Sequence, residues 1–437
     1  MDKTSVGLSD LEIYVPAPRV GLDALLARRV ADDPRMERVL RRAIEKTGQE
    51  AFRFPSPWED SATLAAQSAY TLLRRNVEST GRLRYIGTGT ETTLDQSKPL
   101  AAYLEGMLQH AGIDVPETLM TFQAQHACAG GTIAMLSIAG LLMQSSRDES
   151  GLVVSSDIAR YEAPSTAEIT QGAGAVSLLV EKDPRLIQID LGTQGLCSRD
   201  VDDFFRPNGS VTAKVKGAYS MKCYNEALDI AFRDHCERRG QSPQEVLHST
   251  DMFVFHVPFK MMALSALHRL VSTHTGMHGD ELNGFVNERG FEQSLEPSTR
   301  VGNLYTASTF FALAFLLDER YRTFGNDIVG KSVLMASYGS GNTMIIVSGT
   351  VAPGAPEVIE SWDLASVFRH ERDATPAEYE TWLTAPHDAD RLEKLLAGAS
   401  MPAGQFYLSS IRDDGYRQYG FTGVPADRRV QWATTTP

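Results

Sequence analysis

The sequence is poor in several things, and each shortage excludes a class. Its 437 residues hold four cysteines, Cys128, Cys197, Cys223 and Cys236, whose spacing forms neither a zinc pattern nor a redox CxxC pair. So few cysteines in so long a chain do not make a disulfide framework. Long apolar runs are scarce. The best candidates, Gly131 to Met143 and Phe310 to Leu317, fall short of the roughly 18 residues a membrane span needs, so no membrane is expected as a partner. The N-terminus, MDKTSVGLSD, lacks a basic stretch leading into an apolar core, and a cytoplasmic location is the expectation. Positive charge is in deficit. With 42 Lys and Arg against 55 Asp and Glu the net charge is −13, which argues against a nucleic-acid partner. It leaves room for a local basic patch and an anionic substrate. Neither GTGT nor QGAGA completes a GxGxxG or P-loop pattern, so nucleotide binding is rejected. His268, His274 and His278 have no cysteines near them, and no metal is assigned.

What is present suits a globular α/β protein: 42% hydrophobic and 22% charged residues. The length predicts two or three domain-sized units or one large layered fold. Residues 5 to 16 read as a strand, 22 to 48 as helical and 52 to 60 as a loop. Helices are expected over Ser61 to Arg75, Lys98 to Ala111, Thr132 to Met143 and Tyr305 to Leu317. Strands are expected over Leu83 to Gly87, Leu119 to Ala124, Gly151 to Ser156, Ala173 to Glu181, Met252 to Phe255, Ser332 to Ser337 and Thr343 to Val351. The segment GLVVSSD…GAGAVSLLVE pairs in style with KSVLMAS…GNTMIIVSGTV, which suggests an internal duplication. The expected organisation is a first half over 1–185, a second over 186–352 and an appendage over 353–437, with PGAPE near the last boundary.

A few residues could carry chemistry. Cys128 lies between a strand and an apolar helix, followed by Gly130 and Gly131. A helix N-terminus stabilises a thiolate, and this is a setting for a nucleophile; the plainer role is a small buried hydrophobe. His256 ends the strand in FVFHVPF and reads as a cleft group or as a satisfied core histidine. Glu91, in GTGTETTLDQSK, is a general base if burial raises its pKa, or else a solvated loop acid. Asn303 in VGNLYT could be a helix cap. SYGSG joins two strands as a hairpin turn or as a source of oxyanion-binding amides.

Taken in order, TETTLDQSK, HACAGGT, SSDIARYEA, EITQGAGAVSLLV, DVDDFFRP, FHVPF, VGNLYTAS and SYGSGN resemble the hydroxymethylglutaryl-CoA (HMG-CoA) synthase family, from about residue 5 to about residue 350. FYLSSIRDDGYRQYG looks like that family's C-terminal end. The resemblance implies a thiolase fold, two similar halves layered α-β-α-β-α, in a homodimer. It implies Cys128 as nucleophile, Glu91 as general acid/base and His256 near the acceptor carbonyl. Asn303 would help hold the acceptor. Ser340 and Cys128 would offer backbone amides to the thioester oxygen, and Tyr161, Asp157 and Asp203 would line or brace the site. The substrates implied are acetyl-CoA and acetoacetyl-CoA, with no further cofactor.

The chain departs from the pattern in places. Ala129 follows the nucleophile where the family commonly has an aromatic, so HACAGG also looks like the ACAG signature of ketoacyl synthase III enzymes. Those use Cys, His and Asn without a catalytic Glu. SYGSGN lacks the second cysteine of thiolases. The lysine expected to contact CoA after FHVPF is displaced by one position to Lys260, with Lys214, Lys216 and Arg206 as substitutes. An alternative within the same chemistry is a β-branching synthase whose acetoacetyl group rides on an acyl carrier protein. Carrier proteins are acidic, so this chain would then need a basic docking patch, and no run of basic residues supplies one. A third reading, a catalytically silent scaffold, is opposed by the intact Cys128, His256 and Glu91.

Overall fold

The structure is a computed structural model and describes residues 5–384 and 389–423. Alternation along the chain builds its centre. In Ser150–Ala159, Leu152 and Val154 join one apolar cluster, while Val153 between them joins another. That period of two marks a strand buried on both faces.

Ten strands share one hydrogen-bond network. They are β1 Val6–Tyr14, β2 Leu83–Gly89, β3 Met120–Ala124, β4 Ser150–Ala159 and β5 Gly172–Lys182. There follow β6 Ile187–Ile189, β7 Gly195–Ser198, β8 Met252–Phe255, β9 Ser332–Gly339 and β10 Thr343–Val351. Their order is β8-β9-β10-β6-β1-β5-β4-β2-β3, with β7 paired to β10. Short β6 pairs with both β1 and β10 and so joins two halves. In the first half β2 runs parallel to β3 and β4, and β4 antiparallel to β5. The second half repeats the motif, β8 parallel to β9 and β9 antiparallel to β10. The duplication expected from the sequence is present as topology.

The helices complete the layers. Residues 22 to 48 form two helices, α1 Leu22–Asp32 and α2 Met36–Thr47, instead of one, because Asp33 is extended and Pro34 follows it. The stretch expected as a loop from residue 52 opens on a short strand, Ala51–Arg53, paired with Pro18–Gly21. Helix α3, Ser61–Arg75, starts on an Asp60 capping box and, with α4 Leu100–His110, covers the outer face of the first half. Helix α5, Gly130–Gln144, and a later helix pack against each other in the middle. Helix α6, Gly217–Arg239, covers the second half, with α7 Lys260–Thr275 beside it. The central partner of α5 is α8, Ser308–Phe324; the chain enters it through a 3₁₀ turn at Tyr305–Ala307, so the helix starts later and ends later than the apolar pattern suggested. Near the C-terminus, α9 Pro376–Thr384 reaches the functional cleft. A hairpin of β11 Phe406–Ile411 and β12 Arg417–Phe421 adds Phe406 and Phe421 to the apolar cluster under α3.

One expectation needs correction. Ala127–Gln144 is long and apolar enough to cross a membrane by length and composition. The small residues of ACAGG extend the apolar window beyond the run counted from Gly131. In the fold this segment is the central helix, with Met135, Ile138 and Leu142 fully buried.

Close approach between β2 and α5 requires glycine. A Cβ on Gly89 would sit 2.1 Å from the backbone N of Gly131 and 2.4 Å from its Cα. No side-chain movement relieves a clash with backbone. Gly89→Ala is expected to cost about 1–3 kcal/mol or more, seen as a lower thermal midpoint, and to reduce activity by separating Glu91 from Cys128.

Candidate active site

The carboxyl ends of the parallel strands of both halves converge, the usual place for a site in an open α/β sheet. Glu91 follows β2, Cys128 follows β3, Tyr161 follows β4, His256 follows β8 and Ser340 follows β9. The loop between β3 and α5 turns sharply. Ala127 takes φ +42°, rare for a side-chain-bearing residue, and Cys128 sits two residues before the first residue of α5.

Cys128 is 7% exposed, and its thiol donates to Glu91 Oε1 at 2.9 Å. Burial pushes the Glu91 carboxyl up to about 7, helped by the charge of Asp157 and opposed by Arg206 and the Cys128 hydrogen bond. Arg206 lies 3.7 Å from Glu91 Oε2 and also donates to the Glu91 carbonyl. The dipole-stabilised thiolate expected from the sequence meets stronger opposition. Burial, then the adjacent Glu91, raise the Cys128 pKa well above its ordinary value. The resting pair is therefore a thiol hydrogen-bonded to a carboxylate that titrates near neutrality.

Asp157 organises the base. It is fully buried; Oδ1 accepts from Thr90 Oγ1, the Glu91 and Thr92 amides and Thr92 Oγ1, while Oδ2 accepts from the Thr306 amide and hydroxyl. Asp203 plays the same part for the second turn, accepting from Tyr338 and Ser220 hydroxyls and from the Gly341 amide. Of the two roles the resemblance implied for these carboxylates, lining or bracing, these hydrogen bonds fit bracing.

His256 is 2% exposed, and burial pulls its pKa down to about 3, so the ring is neutral. Ser308 Oγ lies 2.6 Å from Nδ1 and also receives the Val257 amide. With that amide donating to Oγ, the Ser308 hydroxyl proton can be donated to Nδ1, an arrangement compatible with a ring proton on Nε2. A neutral imidazole of this kind acts as a hydrogen-bond donor to a carbonyl. Asn303 is buried; its Oδ1 accepts the Tyr305 amide at the start of the 3₁₀ turn, whose N-cap is Leu304, and its side chain also hydrogen-bonds Tyr161. Tyr161, Phe204 and Tyr305 pack in one cluster with Cys128.

A cleft of about 580 Å³ opens onto this centre, lined among others by Glu91, Ala127, Arg206 and Ser340. Cys128, His256 and Asn303 are buried and are not among the residues that line it. Lys260 does not line this cleft; its ammonium pairs with Glu292 at 3.2 Å and with Glu296. Lys214 and Lys216 pair with Glu162 and Asp202. Arg206 serves Glu91. Among the described residues no cluster of His, Cys, Asp and Glu could hold a metal ion. Sequence reasoning did not find Ser308 or Thr306; a hydroxyl-bearing VGNLYTAS segment was the only signal for either.

A thiol and a near-neutral base, held at the seam of a duplicated α/β fold, mark a condensing enzyme of the thiolase kind. Comparison with known proteins narrows this. A family model for the N-terminal part of hydroxymethylglutaryl-coenzyme A synthase matches residues 3–184, and one for the C-terminal part matches 187–288 and 282–422. The hydroxymethylglutaryl-CoA synthase of Enterococcus faecalis is 27% identical over 386 residues, 88% of this chain and 93% of the relative. The structure of MvaS in complex with 3-hydroxy-3-methylglutaryl coenzyme A is 33% identical with a TM-score of 0.82, covering 96% of this chain and 99% of that one. The HMG synthase of the curacin biosynthetic pathway in complex with holo donor-ACP, at 24% identity, TM-score 0.79 and coverage of 95% and 100%, shares the fold. The chain belongs to the hydroxymethylglutaryl-CoA synthase family.

Proposed function

We propose that this protein condenses acetyl-CoA with acetoacetyl-CoA to give HMG-CoA. The observation that carries the reading is the 2.9 Å contact between Cys128 Sγ and Glu91 Oε1 at the cleft. In the first stage Cys128 loses its proton, attacks the acetyl carbonyl and releases CoA as its thiol, leaving an acetyl thioester. Glu91 then takes a proton from the acetyl methyl group. The enolate carbon forms a bond to C3 of the acceptor, and the ketone oxygen, polarised by the His256 Nε2–H, takes up a proton. Water hydrolyses the Cys128 thioester, giving the free carboxylate of HMG-CoA and restoring the thiol. Negative charge grows on an oxygen at every stage, and backbone amides of Cys128 and Ser340 are the proposed donors to it. A homodimer is proposed as the working unit.

The carrier-protein reading has one observation in its favour. Arg35, Arg38, Arg41 and Arg42, all exposed, gather on and beside α2 with Glu37 and Glu45 among them; Arg35 pairs with Asp33 and Arg41 with Glu37, which leaves Arg38 and Arg42 as the excess positive charge. A basic face of this kind, invisible as a run in the sequence, suits an acidic partner. Intact-protein mass spectrometry distinguishes the readings. Acetyl-CoA should add one acetyl group on Cys128, and acetoacetyl-CoA should clear it with release of HMG-CoA. An adduct that clears only with an acetoacetyl carrier protein would move the function to β-branching. The absence of any adduct would overturn both.

A further inference from the structure

The cleft holds a cation that the chemistry above does not use. Arg160 directly follows β4, between Ala159 and Tyr161, both of which belong to the apolar cluster around Cys128. Arg160 itself lines the cleft. The other cleft cations have carboxylate partners: Arg206 lies against Glu91, and Arg417 donates to Asp60 at 2.8 Å. Arg160 has no carboxylate partner among the described residues. Its guanidinium instead lies over the Trp382 ring, 4.3 Å from the centroid. Trp382 also lines the cleft, and its buried Nε1–H has no hydrogen-bond partner among the described residues. Its ring is fixed in turn by Phe54 and Tyr379, with centroids at 5.4 and 6.0 Å. Burial lowers the Arg160 pKa to about 10, the direction expected of a desolvated cation without a counter-charge.

Partly desolvated cations in proteins are normally paired, and an unpaired one beside a substrate cleft is a place for the substrate's own charge. The contact with the ring face holds the guanidinium in position, and no described acceptor takes its N–H groups, which offer a fork that a lysine ammonium lacks. We infer that Arg160, set on Trp382, forms an oxyanion subsite of the cleft that binds a negatively charged oxygen group of the thioester ligand. This rests on the cleft being the substrate site. Two groups carry that chemistry: a carboxylate on the acyl chain, including the one that HMG acquires on hydrolysis, and the phosphate of the pantetheine arm.

Equilibrium binding tests the subsite without turnover, so a failure of the catalytic reading does not disguise a failure here. Calorimetry on the full chain would compare 4′-phosphopantetheine with pantetheine, and glutaryl-pantetheine with butyryl-pantetheine. In the wild type the charged member of one pair is expected to bind about tenfold or more tightly than its neutral partner. Arg160→Gln should erase that preference while leaving the neutral ligand's affinity within about twofold, and Arg160→Lys should restore it only in part. A preference confined to the first pair identifies the phosphate, and one confined to the second identifies the carboxylate. Trp382→Phe, which keeps a ring but loses the indole N–H, checks that a loss of preference is not a loss of fold, with thermal midpoints measured in parallel. Equal binding within both pairs in the wild type, or a preference that survives in Arg160→Gln, would overturn the inference.

Discussion

Cys128→Ser is expected to leave a folded protein that takes up no acetyl group from acetyl-CoA and makes no HMG-CoA. The substitution changes one atom in a well-filled position, so the fold should persist with a small change in thermal midpoint. The chemistry should not. A serine hydroxyl is a far weaker acid than a thiol, and burial beside Glu91 already opposes ionisation at this position. A loss on the order of 10⁴-fold or more in turnover is expected, the scale seen when a nucleophile acting within a unit is removed. Labelled acetyl-CoA followed by peptide mapping checks it. A label that persists in the variant on another residue would show that the nucleophile is elsewhere.

Glu91→Gln should separate two steps that the wild type performs in sequence. The carboxylate is one of the influences that raise the Cys128 pKa, second only to burial. Removing its charge eases thiolate formation, so acetylation of Cys128 is expected to survive. Proton removal from the acetyl methyl group is not, and condensation should fall by about 10²–10⁴-fold. Single-turnover assays on preacetylated enzyme read the second step alone. In the wild type that step should climb roughly tenfold per pH unit and level off above about 7, because the base works only when ionised and its carboxyl titrates there. The sign for stability is opposite. A carboxyl raised in the folded state contributes stability below its unfolded value of 4.5, and that contribution is lost as pH rises through about 7. The Gln variant should lack this part of the pH dependence. Equal loss of acetylation and condensation would make Glu91 a structural residue.

Much of this molecule was legible in the sequence because its signals are local. A strand followed by HACAGG places Cys128 before a helix, and the apolar runs of GLVVSSD and SVLMAS mark strands that each pair with the next strand in the chain. What escaped depends on partners far apart in the chain. Thr306 matters because it meets Asp157, 149 residues earlier, and Ser308 because it meets His256, 52 residues earlier. The ion pairs of Lys260 were hidden for the same reason: its distance from FHVPF says nothing of Glu292 and Glu296, which pair with it. The basic face of α2 was hidden because helical spacing spreads its arginines among acidic neighbours.

The clamp at Asp157 bears on how this fold can be recombined. One carboxylate gathers the turn that carries the base and the turn that opens α8, so it ties the two halves together at a single buried point. A chimera that joined residues 1–184 of this chain to the second half of a relative would depend on whether that relative offers a hydroxyl and an amide at the position of Thr306. A mismatched pair would leave half of a buried charge without donors, and the hybrid could hold together elsewhere yet misplace its base.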